Sequence, residues 1–318
     1  MTRWTADDIP DLTGRRALVT GASSGLGLVT AAELARHGAD VLVAVRDRVK
    51  GASALAHIES AAGGSGSARL LDLDLADLAS VRAAAAEVSA SPLHLLVNNA
   101  GVMAIPRRET ADGFEMQLGT NHLGHMALTL LLLPALAAGG GARTPSRVVT
   151  VSSGAHRMGR IDLDDLMGER SYSPWKAYGQ SKLANLLFAF ELQHRLDTSG
   201  LPVGSYAAHP GYAATNLQAV GPQMEGSGWK ERMMELANKV LAQPAEMGAL
   251  PQLYAATAPG VPAGSYIGPD GAFEQRGHPR LVGTAPQARD LITGEQLWAA
   301  SEDLVGVRFD DVVAAIPR

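Results

Sequence analysis

The chain has 318 residues, 46% hydrophobic and 19% charged, which supports a sizeable core and excludes intrinsic disorder. A formal net charge of −5 without any run of lysine or arginine argues against nucleic-acid and anionic-membrane partners. Cysteine is absent, so disulfides, thiolate nucleophiles and cysteine-ligated metals are ruled out.

Residues 1–13 read as an N-terminal arm with Asp7 and Asp8 and no apolar run, so no signal peptide is expected and the protein is placed in the cytoplasm. Short apolar runs at 17–19, 41–45, 68–71, 93–97, 147–151 and 203–207 predict strands. Between them, helical patterns fall near 26–37, 51–61, 78–89, 113–136 and 174–197. The most apolar stretch, 126–138, is too short to span a bilayer, contains Pro134 and predicts a buried core helix. Strands alternating with helices imply parallel pairing through right-handed crossovers. The expectation is α/β, a Rossmann-type doubly wound parallel sheet in a single domain over residues 1–318. After Gly211 the pattern loosens: about 212–243 predicts a substrate loop with a helix near 230–241, and a further helix falls near 244–258. Residues 268–318 predict a tail packed on the sheet edge, with a helix near 294–301.

The first strand runs into Thr20-Gly21-Ala22-Ser23-Ser24-Gly25-Leu26-Gly27. Glycines allow positive φ and close backbone approach to a pyrophosphate held by N–H groups at the helix start. The spacing, G-x-x-x-G-x-G, is a variant of the usual dinucleotide fingerprint. Residues 21–25 also fit the G-x-S-x-G nucleophile elbow, but that motif needs an earlier strand and loop for its oxyanion hole, and only twenty residues precede Gly21. At the end of the second strand an acidic residue would suit the ribose of NAD, whereas Arg46 stands there, with Lys50 one turn later and Asp47 after the arginine. This favours NADP over NAD.

Tyr178 and Lys182 have the i, i+4 spacing of one helical face. A nearby ammonium is expected to lower the phenol pKa, so that the pair could move a proton while a hydride moves on carbon. A second pair, Tyr172 and Lys176, is set aside because Pro174 belongs in a first helical turn and leaves Tyr172 outside. Ser153 follows the strand at 147–151, where side chains reach the ligand crevice, while alternation turns Ser152 the other way.

The motifs at 20–27, Asn98-Asn99-Ala100-Gly101, Asn121, Ser153 and Tyr178 to Lys182 resemble, in order, the short-chain dehydrogenase/reductase family over nearly the whole chain. Residues 112–123 and the 25-residue interval from Ser153 to Tyr178 look like its retinol dehydrogenase and protochlorophyllide reductase branch. The resemblance implies Tyr178 as catalytic acid/base, Ser153 on the substrate oxygen and Lys182 also on the nicotinamide ribose. It implies that Asn121 kinks its helix and holds a water leading from Lys182 to solvent. It places Gly21, Ser23, Ser24, Gly25, Leu26 and Gly27 around the coenzyme phosphates, and Arg46 beside the adenosine phosphate. Asp74 and Leu75 would lie near the adenine, and Asn98, Ala100 and Gly101 beside its ribose. Pro210, Gly211 and Thr215 would close over the carboxamide.

The implied activity is NADP(H)-dependent hydride transfer between nicotinamide and a carbonyl or alcohol, on an apolar small molecule, in a possible homo-oligomer. Two other readings of the same residues are a non-catalytic dinucleotide-binding regulator and an NAD-dependent epimerase or dehydratase. Two departures stop the substrate from carrying over. The membrane anchor common in vertebrate retinol dehydrogenases is not read at the N-terminus, and the cysteine used by protochlorophyllide reductases is missing. His122 and His125 are read as packed or surface residues, and no metal is expected. Met103, His156, Trp175 and Tyr212 are expected to shape the pocket.

Overall fold

The computed structural model describes residues 3–212 and 243–316. The predicted strands form β1 (Arg16–Thr20), β2 (Asp40–Val45), β3 (Ser67–Asp72), β4 (Leu95–Asn98), β5 (Ser146–Val151) and β6 (Val203–Ala208). They pair in parallel in one sheet in the order β3-β2-β1-β4-β5-β6. Strands β1, β2 and β4 to β6 are almost wholly buried, as continuous runs of Val, Leu and Ala require when helices cover both faces. The chain order reverses between β1 and β4, which pair directly through Ala17↔Leu95 to Val19↔Val97. A crevice therefore opens at their carboxyl ends.

The crossover helices are α1 (Gly25–Arg36), α2 (Arg48–Ala62), α3 (Leu78–Val88), α4 (Met116–Gly139), α5 (Pro174–Ser199) and α6 (Ala245–Thr257). Pro174 stands in the first turn of α5, so Tyr178 lies inside the helix and Tyr172 outside it. Helix α4 is long and apolar enough to cross a membrane, but 72% of its most apolar window is buried inside the protein. It is the central core helix, packed on α3, α5 and the sheet.

The tail differs from its expected form. It does not merely cover the sheet edge; it adds two strands to it, β7 (Tyr266–Pro269), parallel to β6, and β8 (Pro279–Leu281), antiparallel to β7. Two helices follow, α7 (Leu291–Val305) and α8 (Phe309–Ala314), against the outer side of α4 and α5. Trp298 of α7 is the anchor: it stacks on Phe188 at 5.7 Å, meets Phe309 edge-on at 6.0 Å, and carries the Arg195 guanidinium at 4.6 Å from its ring centroid. Of the expected substrate loop and the helix near 230–241, residues 213–242 lie outside the described residues.

Trp298→Ala removes a buried indole from between α5, α7 and α8. A loss of about 3–5 kcal/mol is expected, read as a lower urea midpoint in chemical denaturation. A change below about 1 kcal/mol would mean that α7 and α8 are not integral to the core.

Candidate active site

The glycine turn leaves β1 and enters α1 at the crevice. Gly21 and Gly25 have φ of +66° and +56°, where a side chain is strained. A Cβ on Gly21 would stand 2.9 Å from Ala100, and one on Gly27 would overlap the Gly21 carbonyl oxygen. Ser24 is the N-cap of α1 in an extended conformation and makes no side-chain capping bond, so the first N–H groups of the helix remain open. A cradle that any Cβ would fill, with open N–H groups pointing into it, fits the pyrophosphate of a dinucleotide.

The residues expected around the adenosine end are arranged unequally. Arg46 is exposed and has no ion-pair partner among the described residues, whereas Arg48 is paired with Asp72 at 2.8 Å and Lys50 lies 3.9 Å from Asp47. Asp74 follows β3 and accepts the Ala76 N–H, while Leu75 is buried. Asn98 does not offer its side chain to the crevice. It is fully buried and donates to Thr129 Oγ1 at 2.9 Å, so only its backbone could face a ligand. The neighbouring Asn99, not singled out from the sequence, does the local work instead. Its Nδ2 donates to the Thr20 carbonyl at 2.8 Å, its N–H donates to Thr20 Oγ1, and its Oδ1 accepts from Gln252. The signal was the repeated asparagine at the end of β4, of which the second is the stapling residue.

Ser153, Tyr178 and Lys182 come together at the carboxyl end of β5. Ser153 caps a short turn, Gly154–Met158, with Oγ accepting the Ala155 N–H, and its hydroxyl stands near enough to the Tyr178 phenol to favour the ionised form. Ser152 turns inward and donates to the Lys182 carbonyl at 2.7 Å, as strand alternation required. Lys182 Nζ donates to the Val151 carbonyl at 3.1 Å and lies 5.8 Å from the Tyr178 ring centroid.

The electrostatics overturn one expectation. The Tyr178 phenol is not lowered; burial pushes it up to about 12, and the Ser153 hydroxyl opposes this only in part. Burial pulls Lys182 down to about 8. At this depth desolvation of both charged forms outweighs their proximity.

Asn121 sits in a π turn, Gly119–Leu123, within α4. Its Oδ1 accepts the Val102 N–H at 2.8 Å and its Nδ2 donates to the Val102 carbonyl and to Ser181 Oγ, both at 2.9 Å. Gly101 lies against it, since a Cβ there would come 2.9 Å from Asn121 Oδ1. Pro210 and Gly211 follow β6, with Gly211 at φ +66° against Gln275; Thr215 lies outside the described residues.

Of the expected pocket residues, Trp175 is half exposed and meets Tyr178 edge-on at 6.1 Å. His156, expected to shape the pocket, is instead fully buried among the described residues. Its Nδ1 donates to the Ser153 carbonyl at 2.7 Å and its Nε2 accepts the Ala285 N–H, so it holds the serine from behind. Tyr172 bonds Gln117, Glu115 and the Ile105 carbonyl, away from Tyr178.

A sequence profile described as short chain dehydrogenase matches residues 15–226. The mouse (Mus musculus) protein named polyprenol dehydrogenase is 46% identical over 309 residues, covering 95% of this chain and 87% of its own. Mouse retinol dehydrogenase 11 is 41% identical over 303 residues, covering 94% and 89%. A crystal structure of an uncharacterised protein from Mycobacterium paratuberculosis superposes with a TM-score of 0.79 at 45% identity, over 97% of this chain and 99% of that one. The Pseudomonas aeruginosa RhlG/NADP active-site complex superposes at 0.59 with 26% identity, over 83% and 98%.

Lys182 yields a prediction that needs no substrate. Its folded-state value of about 8 lies below the ordinary 10.5, so below pH 8 the buried ammonium costs stability in full, about 3 kcal/mol. The cost fades as pH rises from about 8 to 10.5. Lys182→Met is therefore expected to raise the melting temperature at pH 7 relative to the parent protein, with the advantage shrinking across that window. A pH-independent difference in thermal scans would contradict the assignment.

Proposed function

Because the chain belongs to the short-chain dehydrogenase family and is a nicotinamide-dependent oxidoreductase acting on CH–OH groups, we propose that it uses NADP(H) to interconvert an apolar alcohol and its carbonyl compound. The observation that carries this is the meeting of Ser153, Tyr178 and Lys182 beside the glycine cradle. The bound coenzyme supplies or accepts the hydride. Tyr178 gives a proton to the carbonyl oxygen, or takes one from the alcohol, and the Ser153 hydroxyl holds that oxygen. Lys182 and the Asn121 turn support the tyrosine and the nicotinamide ribose.

NADP is proposed because Arg46 has no ionic partner among the described residues at the end of β2, where a planar guanidinium matches a phosphate. The apolar substrate is proposed from the relatives named for polyprenol and retinol, which are apolar alcohols. Because α7 and α8 cover the outer side of α4 and α5, self-association through that face is not part of the proposal. A cytoplasmic location is, with α4 spent on the protein's own core.

Tyr178→Phe is expected to lower turnover by about 10²–10⁴-fold while NADPH binding, followed by fluorescence, persists. Turnover within a few-fold of the parent would sink the assignment. Arg46→Ala is expected to weaken NADPH by roughly 10–100-fold and NADH by much less, since one charge-assisted pair is lost. Equal loss of both coenzymes would remove the phosphate role.

A further inference from the structure

His125 is a fully buried imidazole that the chemistry above does not use. It lies one helical turn beyond Asn121, at the start of the α-helical part of α4. Its Nδ1 is 3.0 Å from the Asn121 carbonyl oxygen, which can only accept, so Nδ1 carries the proton. Nε2 is then an acceptor, and the Thr20 hydroxyl, 2.8 Å away, donates to it. The Thr20 oxygen in turn accepts the N–H groups of Asn99 at 2.9 Å and Ala100 at 3.0 Å. One tautomer and one hydroxyl orientation satisfy every member. Burial and the nearby Lys182 charge pull the imidazole down to about 4, so it stays neutral.

The chain of bonds continues past Asn121. Asn121 Nδ2 donates to Ser181 Oγ, which donates to the Tyr178 carbonyl oxygen at 2.9 Å. A run of hydrogen bonds thus joins the end of β1, where the glycine turn begins, to the backbone of the tyrosine on α5. His125 is its joint. The π turn shifts carbonyls out of α-helical register, so a side-chain donor there sets where the Asn121 carbonyl points.

We propose that His125 is a positioning residue for the reaction: its imidazole holds the Asn121 carbonyl and ties the π turn to Thr20, fixing Tyr178 relative to the glycine turn. The inference rests on the reading of Tyr178 as the proton-transfer group. A core histidine with a purely space-filling role would tolerate any side chain of similar volume. A positioning one requires an N–H at the Nδ1 position.

Three variants separate these roles. His125→Phe keeps the ring and removes both bonds. His125→Asn returns a donor near the Nδ1 position, and His125→Gln returns a polar atom near Nε2 only. Reduction of decanal, citral and retinal with NADPH gives kcat and KM, and thermal scans give stability. His125→Phe is expected to lower kcat by about 10–100-fold with the NADPH KM little changed, as a small misplacement of reacting groups does. His125→Asn should recover most of that loss and His125→Gln should not. If His125→Phe does not fold, the Asn and Gln variants carry the comparison alone. Parent-like kcat in His125→Phe, or losses in Asn and Gln that follow melting temperature instead of the donor, overturn the proposal. An active Tyr178→Phe, by contrast, overturns the underlying chemistry and is read separately in the parent background.

Discussion

The site depends on how closely two backbones approach. The turn after β1 passes so near the end of β4 that no Cβ fits at Gly21, which would meet Ala100, or at Gly27, which would meet the Gly21 carbonyl and Asn99. Asn99 uses this nearness. It bonds Thr20 through both its backbone N–H and its side-chain amide, and its own oxygen takes the Gln252 amide from α6. Three elements are thereby locked around an open helix N-terminus. Opening the turn by a methyl group would move the N–H groups that give the crevice its affinity for phosphate.

Around that lock several buried polar side chains are tied to backbone groups. Lys182 bonds the Val151 carbonyl, and Asn185 bonds the same oxygen at 3.0 Å. His156 spans Ser153 and Ala285, and His125 spans Asn121 and Thr20. A buried polar group without a partner would destabilise by about 1–3 kcal/mol, so each pairing also fixes a geometry. Both histidines donate to the carbonyl of a residue in the proposed catalytic set. The backbone is thus held by two imidazoles that burial keeps towards the neutral form.

Much of this was legible in the sequence, and the failures have physical causes. Six strands and the switch-point crevice follow from apolar runs alternating with amphipathic ones, because parallel strands buried on both faces need such runs. Pro174 sufficed to place Tyr178 inside α5 and Tyr172 outside it, since proline placement is a local backbone property. Strands β7 and β8 were missed because they are four and three residues long and contain Pro269 and Pro279, so neither shows a period. Asn98 was expected beside the adenine ribose without a side-chain direction, because that direction is set by Thr129 on α4, a contact across 31 residues. His156 was placed in the pocket wall because its burial depends on the tail, through Ala285.

The misjudged quantity was the phenol, and its correction bears on the chemistry. From spacing alone, a lysine four residues on should make Tyr178 more acidic. In the fold both groups are desolvated, and the values separate to about 12 for Tyr178 and about 8 for Lys182. The first proton to leave this pair as pH rises is therefore the lysine's, and the phenol stays protonated throughout the neutral range. A protonated Tyr178 is ready to donate to a carbonyl oxygen. As a base it must first lose a proton that burial holds by about 3 kcal/mol more than water does. The ligand-free pair thus stands in the protonation state from which a carbonyl reduction would start, with the phenol protonated. For an alcohol oxidation, the positive charge of the Lys182 ammonium and of a bound oxidised nicotinamide would act to bring the phenol down.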